Sequence, residues 1–173
     1  MSTWDEDLAF SIGMNKYVDE TYRKIYPIES ITRLTRNDDP DILDVQFHID
    51  TILTLTNGTI ITAQEKIRRL YYMKYQEFTL EYMNNKFEPG EHYKLCTDIY
   101  FYAYGDLEMG LEQIYIFKTI DFKNALAHNR IQGNLQQNVY HSQASFYAYP
   151  FNQFSDDWFV YKKPYSRQPA AVS

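Results

Sequence analysis

One cysteine, Cys96, in 173 residues leaves no partner for an intramolecular disulfide and no thiolate set for a zinc site. Glycine and proline number six each, too few for a long low-complexity or disordered region outside the C-terminus. No stretch approaches the 18 apolar residues of a membrane-spanning helix. The first ten residues, MSTWDEDLAF, carry neither the basic start nor the apolar run of a signal peptide. These absences suit a reducing cytoplasm, that of the host cell if the chain is viral. Positive charge is also short, with a formal net charge of −6, which argues against a general nucleic-acid coat. There is no G-x-S-x-G nucleophile elbow, phosphate-cradling glycine loop or dinucleotide fingerprint. His92, His128 and His141 are too scattered for a helical metal motif. What is abundant is tyrosine, 17 residues beside 11 phenylalanines. Aromatic rings bury large areas, and the phenol keeps a polar tip for water or a partner.

The pattern along the chain predicts an α/β (mixed α+β) fold, with an N-terminal helix, a central mixed sheet containing a β-hairpin, and helices on the sheet faces. A single globular domain is expected over 1–163, with a tail over 164–173. Trp4, Leu8, Ile12, Val18, Tyr22 and Ile25 recur at roughly helical spacing over 3–26, with Thr3 as N-cap and Pro27 as stop. Residues 30–36 alternate in polarity as a strand, and 37–41 carry turn chemistry. Further strands are expected over 78–83, 96–105, 112–118, 144–151 and 157–163. A helix is expected over 121–130 with Asp121 as N-cap. Cys96 reads as a small buried apolar residue.

The hairpin is the strongest local signal. Strands 45–56 and 59–67 flank Asn57-Gly58, the dipeptide favoured in a type I′ turn. A regular two-residue loop pairs Thr56 with Thr59 and sets Asp50 opposite Glu65, with Gln64 and Lys66 on the other face. One bulge would carry them across, because a single-residue slip inverts the faces of a strand. Such a hairpin gathers Asp50, Gln64, Glu65, Lys66 and then Arg68, Arg69 and Lys74. Carboxylates can hold a divalent cation that lowers the pKa of a water, a lysine can orient that water, and arginines can hold phosphates.

A helix, then strands with an aspartate on the second and an acid or glutamine two residues before lysine on the third, resembles the PD-(D/E)XK nuclease superfamily. Asp50 takes the aspartate position and Lys66 the lysine position, and Gln64 makes the motif a Q-x-K variant. The resemblance covers roughly residues 3–105. It implies a restriction-endonuclease-like core, a metal-dependent endo- or exonuclease, and a phage or viral setting. Mg2+ or Mn2+ would sit on Asp50 with Gln64 or Glu65. DNA would be held transiently by Arg68, Arg69 and Lys74. It also makes Glu20 a candidate carboxylate on the first helix. Asp98, Glu81 and His48 are weaker candidates for the same site. The competing reading is a non-catalytic binding or assembly protein, viral in setting, with a tyrosine-rich interface and a second copy of the chain as one candidate partner. A third is a single-strand binder that stacks bases on tyrosine, against which the net negative charge counts.

Overall fold

The computed structural model describes residues 4–34, 48–84, 86–137 and 144–165. The first element, α1 (Trp4–Ile25), buries Phe10, Met14, Val18 and Tyr22, four residues apart along one face. Leu8 and Ile12, expected on the buried face, are offset by two positions from that series and are exposed at 41% and 58%. Two residues turn a helix by about 200°, so they lie on its opposite side. Thr3, the expected cap, lies outside the described residues.

After α1 come β1 (Ile28–Arg33), β2 (Thr51–Leu55) and β3 (Ile60–Arg69), an antiparallel meander. Strand β1 starts two residues earlier than the alternation from Ser30 predicts. The expected turn over 37–41 and the first residues of the hairpin lie outside the described residues. A 3-10 turn (Leu70–Tyr75) leads to β4 (Glu77–Met83) and the single-turn α2 (Glu91–Lys94). Then follow β5 (Ile99–Asp106), β6 (Gly110–Lys118), α3 (Thr119–Ala127), β7 (Asn134–Gln137), β8 (Ser145–Pro150) and, after two short 3-10 turns, β9 (Phe159–Lys163). Helix α3 starts at Thr119, so Asp121 is not its cap but stands in its first turn, where the helix dipole favours negative charge. Strand β7 went unforeseen, being short, polar and exposed throughout.

The large sheet runs β1-β2-β3-β5-β6-β9, with β3 and β5 parallel and every other pair antiparallel. A smaller antiparallel sheet runs β4-β8-β7. Strand β5 is buried on both faces, which is why its sequence reads as an unbroken aromatic and apolar run. Its Ile99, Phe101 and Ala103 pack towards α1, and Tyr100, Tyr102 and Tyr104 pack towards the smaller sheet and α3. Phe78 of β4 sits at the centre of that second core, edge-on to Tyr100, Tyr102, Phe117 and Phe122 at centroid distances of 4.7–5.4 Å. About a third of the 17 tyrosines are therefore core: Tyr22, Tyr100, Tyr102, Tyr104, Tyr115 and Tyr149 are buried. Among the described residues no helix is long and apolar enough to cross a membrane.

The hairpin differs from the sequence expectation by one residue. Gly58 has φ +80° and Asn57 does not have positive φ. The Gly58 N–H bonds Leu55 O at 2.8 Å, and the Leu55 N–H bonds Thr59 O at 2.9 Å. The loop therefore holds three residues, a turn ending in a left-handed glycine, in place of the two-residue type I′ form. The register pairs Thr51 with Ala63 and Thr54 with Ile60. The Asp50 N–H also bonds Ala63 O, at 3.0 Å. Asp50 and Thr51 thus oppose one residue, the two-against-one count of a β-bulge.

Candidate nucleic-acid interface

Adjacent residues of a strand point to opposite faces of its sheet, which separates Glu65 from Gln64 and Lys66. Glu65 faces α1. Arg33, at the end of β1, donates from Nη1 to Glu65 Oε2 at 2.6 Å and from Nη2 to Asp19 Oδ1. Burial opposes the charge on Arg33, but Glu65 and Asp19 outweigh it and hold the guanidinium above its ordinary pKa. Burial first, and the Glu65 carboxylate second, push the neighbouring Tyr22 phenol well above its usual value. Asp50 precedes β2, and the bulge brings it to the same side. Its Oδ2 accepts the Glu65 backbone N–H at 2.7 Å. Asp50, Glu65, Arg33 and Asn15 line a groove of about 170 Å³ beside α1.

Gln64 and Lys66 lie on the opposite face, towards the smaller sheet. Gln64 is buried. Lys66 Nζ donates to Glu91 Oε2 at 2.9 Å and to Thr79 O at 3.1 Å. Burial pushes the Glu91 carboxyl up, but the Lys66 ammonium and the Glu81 N–H more than offset this and hold it below the usual carboxylate range. The four residues that the nuclease resemblance needs on one surface are thus divided, as a regular hairpin would divide them. Asp50 and Glu65 stand on one side of the sheet, and Gln64 and Lys66 on the other, each side with its own ion pair.

The magnesium that the resemblance implies can be tested against these donors. Mg2+ takes one or two carboxylates and keeps several waters, so Asp50 and Glu65 supply enough charge between them. The cation in that groove is Arg33, whose guanidinium already holds Glu65 Oε2. Lys66 cannot serve a water there from the far face. Among the described residues no group of three or more His, Cys, Asp or Glu side chains is disposed to hold a metal. The residues do not fit the implied site. The helix carboxylate in this cluster is Asp19, not Glu20, which is exposed.

The basic residues occupy a ridge. Residues 66–75, KIRRLYYMKY, contain no acid. They run from the end of β3 into the 3-10 turn, since β3 continues past its expected end at 67 to include Arg68 and Arg69. Arg68 Nη1 donates to Thr79 Oγ1 at 2.8 Å, and its guanidinium lies 4.0 Å over the Tyr72 ring. Among the described residues Arg68 has no ion-pair partner. Arg69 lies over Phe10 at 4.6 Å and meets Asp7 at 3.3 Å, an exposed pair of low strength. Tyr71 and Tyr75 are each 57% exposed, and Lys74 sits 5.0 Å over the Tyr75 ring. The Tyr71 ring lies 4.0 Å from that of Tyr72, and the neighbouring phenol, with some burial, pushes the Tyr71 hydroxyl up to about 12. A groove of about 250 Å³ runs along the ridge past Lys66, Arg68, Arg69 and Tyr71.

The remaining candidates serve elsewhere. His48 has φ +50° and stands in the coil ahead of β2, so it does not share a strand face with Asp50. Asp98 Oδ2 accepts from the Thr62 N–H and Oγ1 at 2.7 and 2.8 Å, tying the start of β5 to β3. Glu81 contributes its backbone N–H to Glu91. Cys96 is exposed, because alternation buries its neighbours Leu95 and Thr97 and turns it outward. Sequence reasoning missed Arg33 and Glu91, which neutralise Glu65 and Lys66 from distant parts of the chain, and Asp19, which shares Arg33 with Glu65. It also left Tyr71, Tyr72 and Tyr75 as three tyrosines among many, although their interleaving with basic residues was visible. Comparison with protein-family models, curated proteins and solved structures found no match, so the functional reading rests on these residues and their geometry.

Proposed function

We propose that the protein is a non-catalytic nucleic-acid-binding protein that holds single-stranded DNA on the ridge 66–75. The observation that carries this reading is Arg68. Thr79 and Tyr72 hold it in place, no carboxylate pairs with it among the described residues, and exposed tyrosines flank it. A guanidinium with donors to spare binds phosphate by charge-assisted hydrogen bonds. Exposed phenol rings offer stacking surfaces to any base, and only an unpaired strand presents its bases that way. The net charge of −6 keeps the rest of the surface from binding DNA and confines attraction to this local patch. Hydrolysis is the less supported reading, because Lys66 is held by Glu91 on the face opposite Asp50 and Glu65.

Fluorescence anisotropy with labelled single-stranded DNA of mixed sequence, in EDTA, tests the proposal. Three phosphate contacts through Arg68, Arg69 and Lys74 give a salt slope of about −2, and Arg68→Ala removes about 0.7 of it. Tyr71→Ala or Tyr75→Ala costs about 1–3 kcal/mol with little change of slope. Absence of binding at low salt, or ridge variants that bind like the wild type, would overturn it. Cleavage that requires Mg2+ and is lost in Asp50→Ala and Lys66→Ala would restore the nuclease reading.

A further inference from the structure

Resting on the ridge as a single-strand site, we infer that the cleft beside it, between the 3-10 turn and the smaller sheet, is a pocket for one unstacked nucleobase. The cleft has a volume of about 270 Å³. That is just below the ~300–1,000 Å³ of small-molecule sites and suits one planar ring system better than a whole cofactor. Its polar lining is Arg68, Thr79, Glu77 and Gln136 with the tyrosine hydroxyls; Thr79 Oγ1 receives Arg68 at 2.8 Å and lies 3.3 Å from the Tyr102 hydroxyl. Its apolar wall is Phe146 of β8, whose ring meets no other aromatic ring among the described residues, and Tyr75 stands at the rim. Nearly every other large aromatic of this region is paired with another ring, so Phe146 is left as a face for a ligand to stack on.

Charge selects the occupant and its orientation. Arg68 lines both this pocket and the groove along the ridge. A backbone phosphate bound by Arg68 from the groove would place the attached base at the pocket mouth. Glu77 also lines the pocket. Its carboxylate repels a phosphate but accepts the N–H edge of a base, so the base goes in and the phosphate stays out. Guanine, whose N1–H and N2–H stand side by side on its pairing edge as two donors for one carboxylate, matches that arrangement best.

The test is NMR titration of the full chain with deoxyguanosine 5′-monophosphate and, separately, with deoxyribose 5-phosphate, alongside anisotropy with single-stranded DNA. The expected result is saturable movement of the Thr79, Tyr102 and Phe146 amide resonances by the nucleotide and none by the sugar phosphate. Phe146→Leu keeps an apolar side chain and should weaken strand binding about ten-fold, in line with the loss of one stacked base. Arg69→Ala should weaken the strand yet leave the nucleotide shifts unchanged. If the strand binds but the nucleotide moves these resonances no more than the sugar phosphate does, the base pocket is wrong and the ridge stands. The same holds if Phe146→Leu, with a wild-type melting curve, binds the strand normally. Should no strand bind at all, both readings fall. Should an indole-bearing peptide fill the pocket where the nucleotide does not, the occupant is a protein.

Discussion

Lys66→Met removes the ammonium but keeps most of the apolar stem, so it isolates what the lysine does. As the lysine of a nuclease motif, Lys66 would be dispensable for folding. In the structure it neutralises Glu91, and the two side chains retain only 26% and 14% exposure. An exposed pair contributes about 0.2–1 kcal/mol, and removing one partner of a buried pair costs about 3–5 kcal/mol. Partial exposure places the expected loss near 2 kcal/mol, or about 4–8 °C in melting temperature for a chain of this size. The pH dependence gives a second check. Glu91 is held below the usual carboxylate range in the wild type, so its contribution is fully present above the unfolded pKa and is lost as pH falls through the folded value. In Lys66→Met, burial is left largely unopposed and the carboxyl shifts upward instead. The difference in melting temperature is therefore largest near neutrality and closes below about pH 4. Circular dichroism melts at neutral and acid pH measure both effects, and Lys66→Met/Glu91→Leu should recover most of the loss. A single variant melting within about 1 °C of the wild type at neutral pH, or a gap that widens with acid, would refute the argument.

Three other outcomes follow from the same geometry. Arg33→Met strands Glu65, whose side chain is only 6% exposed, and should cost about 3 kcal/mol; chemical denaturation should also show that Glu65→Gln in the same chain returns part of it. Gly58→Ala forces a Cβ into a backbone at φ +80° and should lower stability by about 1 kcal/mol, whereas a melt equal to wild type would mean that the loop readily takes another form. The Cys96 thiol, exposed but pushed up by local desolvation and then by Asp98 against the pull of Lys123, should alkylate completely without denaturant but more slowly than free cysteine at about pH 8.

The hairpin marks how far the sequence could be read. Asn57-Gly58 located the turn, but either a two- or a three-residue loop can use a glycine there, and the choice moved the register by one. That Glu65 and Lys66 take opposite faces follows from alternation and was legible. That Asp50 shares a face with Glu65 was expected from a regular two-residue loop, but it comes about differently: the three-residue loop shifts the register, and a bulge just before β2 turns Asp50 back to that face. The partners that decide the chemistry of these residues stand far off in sequence: Arg33 is 32 residues before Glu65 and Glu91 is 25 after Lys66. No local pattern announces such pairings. In α1, the spacing of Leu8 and Ile12 was helical, but periodicity alone could not say which of two apolar series faces the sheet. The mixed sheet and the N-terminal helix were legible because β5 and β6 are long apolar runs and α1 has a clear period.

The parallel join between β3 and β5 has a kinetic consequence. Hairpin neighbours such as β2 with β3 and β5 with β6 close over short stretches of chain, whereas β3 meets β5 with 36 residues separating each aligned pair, from Ala63 with Ile99 to Arg69 with Gly105. Long-range pairings lag behind local ones during folding, because chain entropy is lost before contacts return it. The meander and the β5–β6 hairpin should therefore form early as separate halves, and this seam should close late. The ridge begins on the last residues of that seam, so a chain caught with it open would lack its binding surface although both halves were already folded.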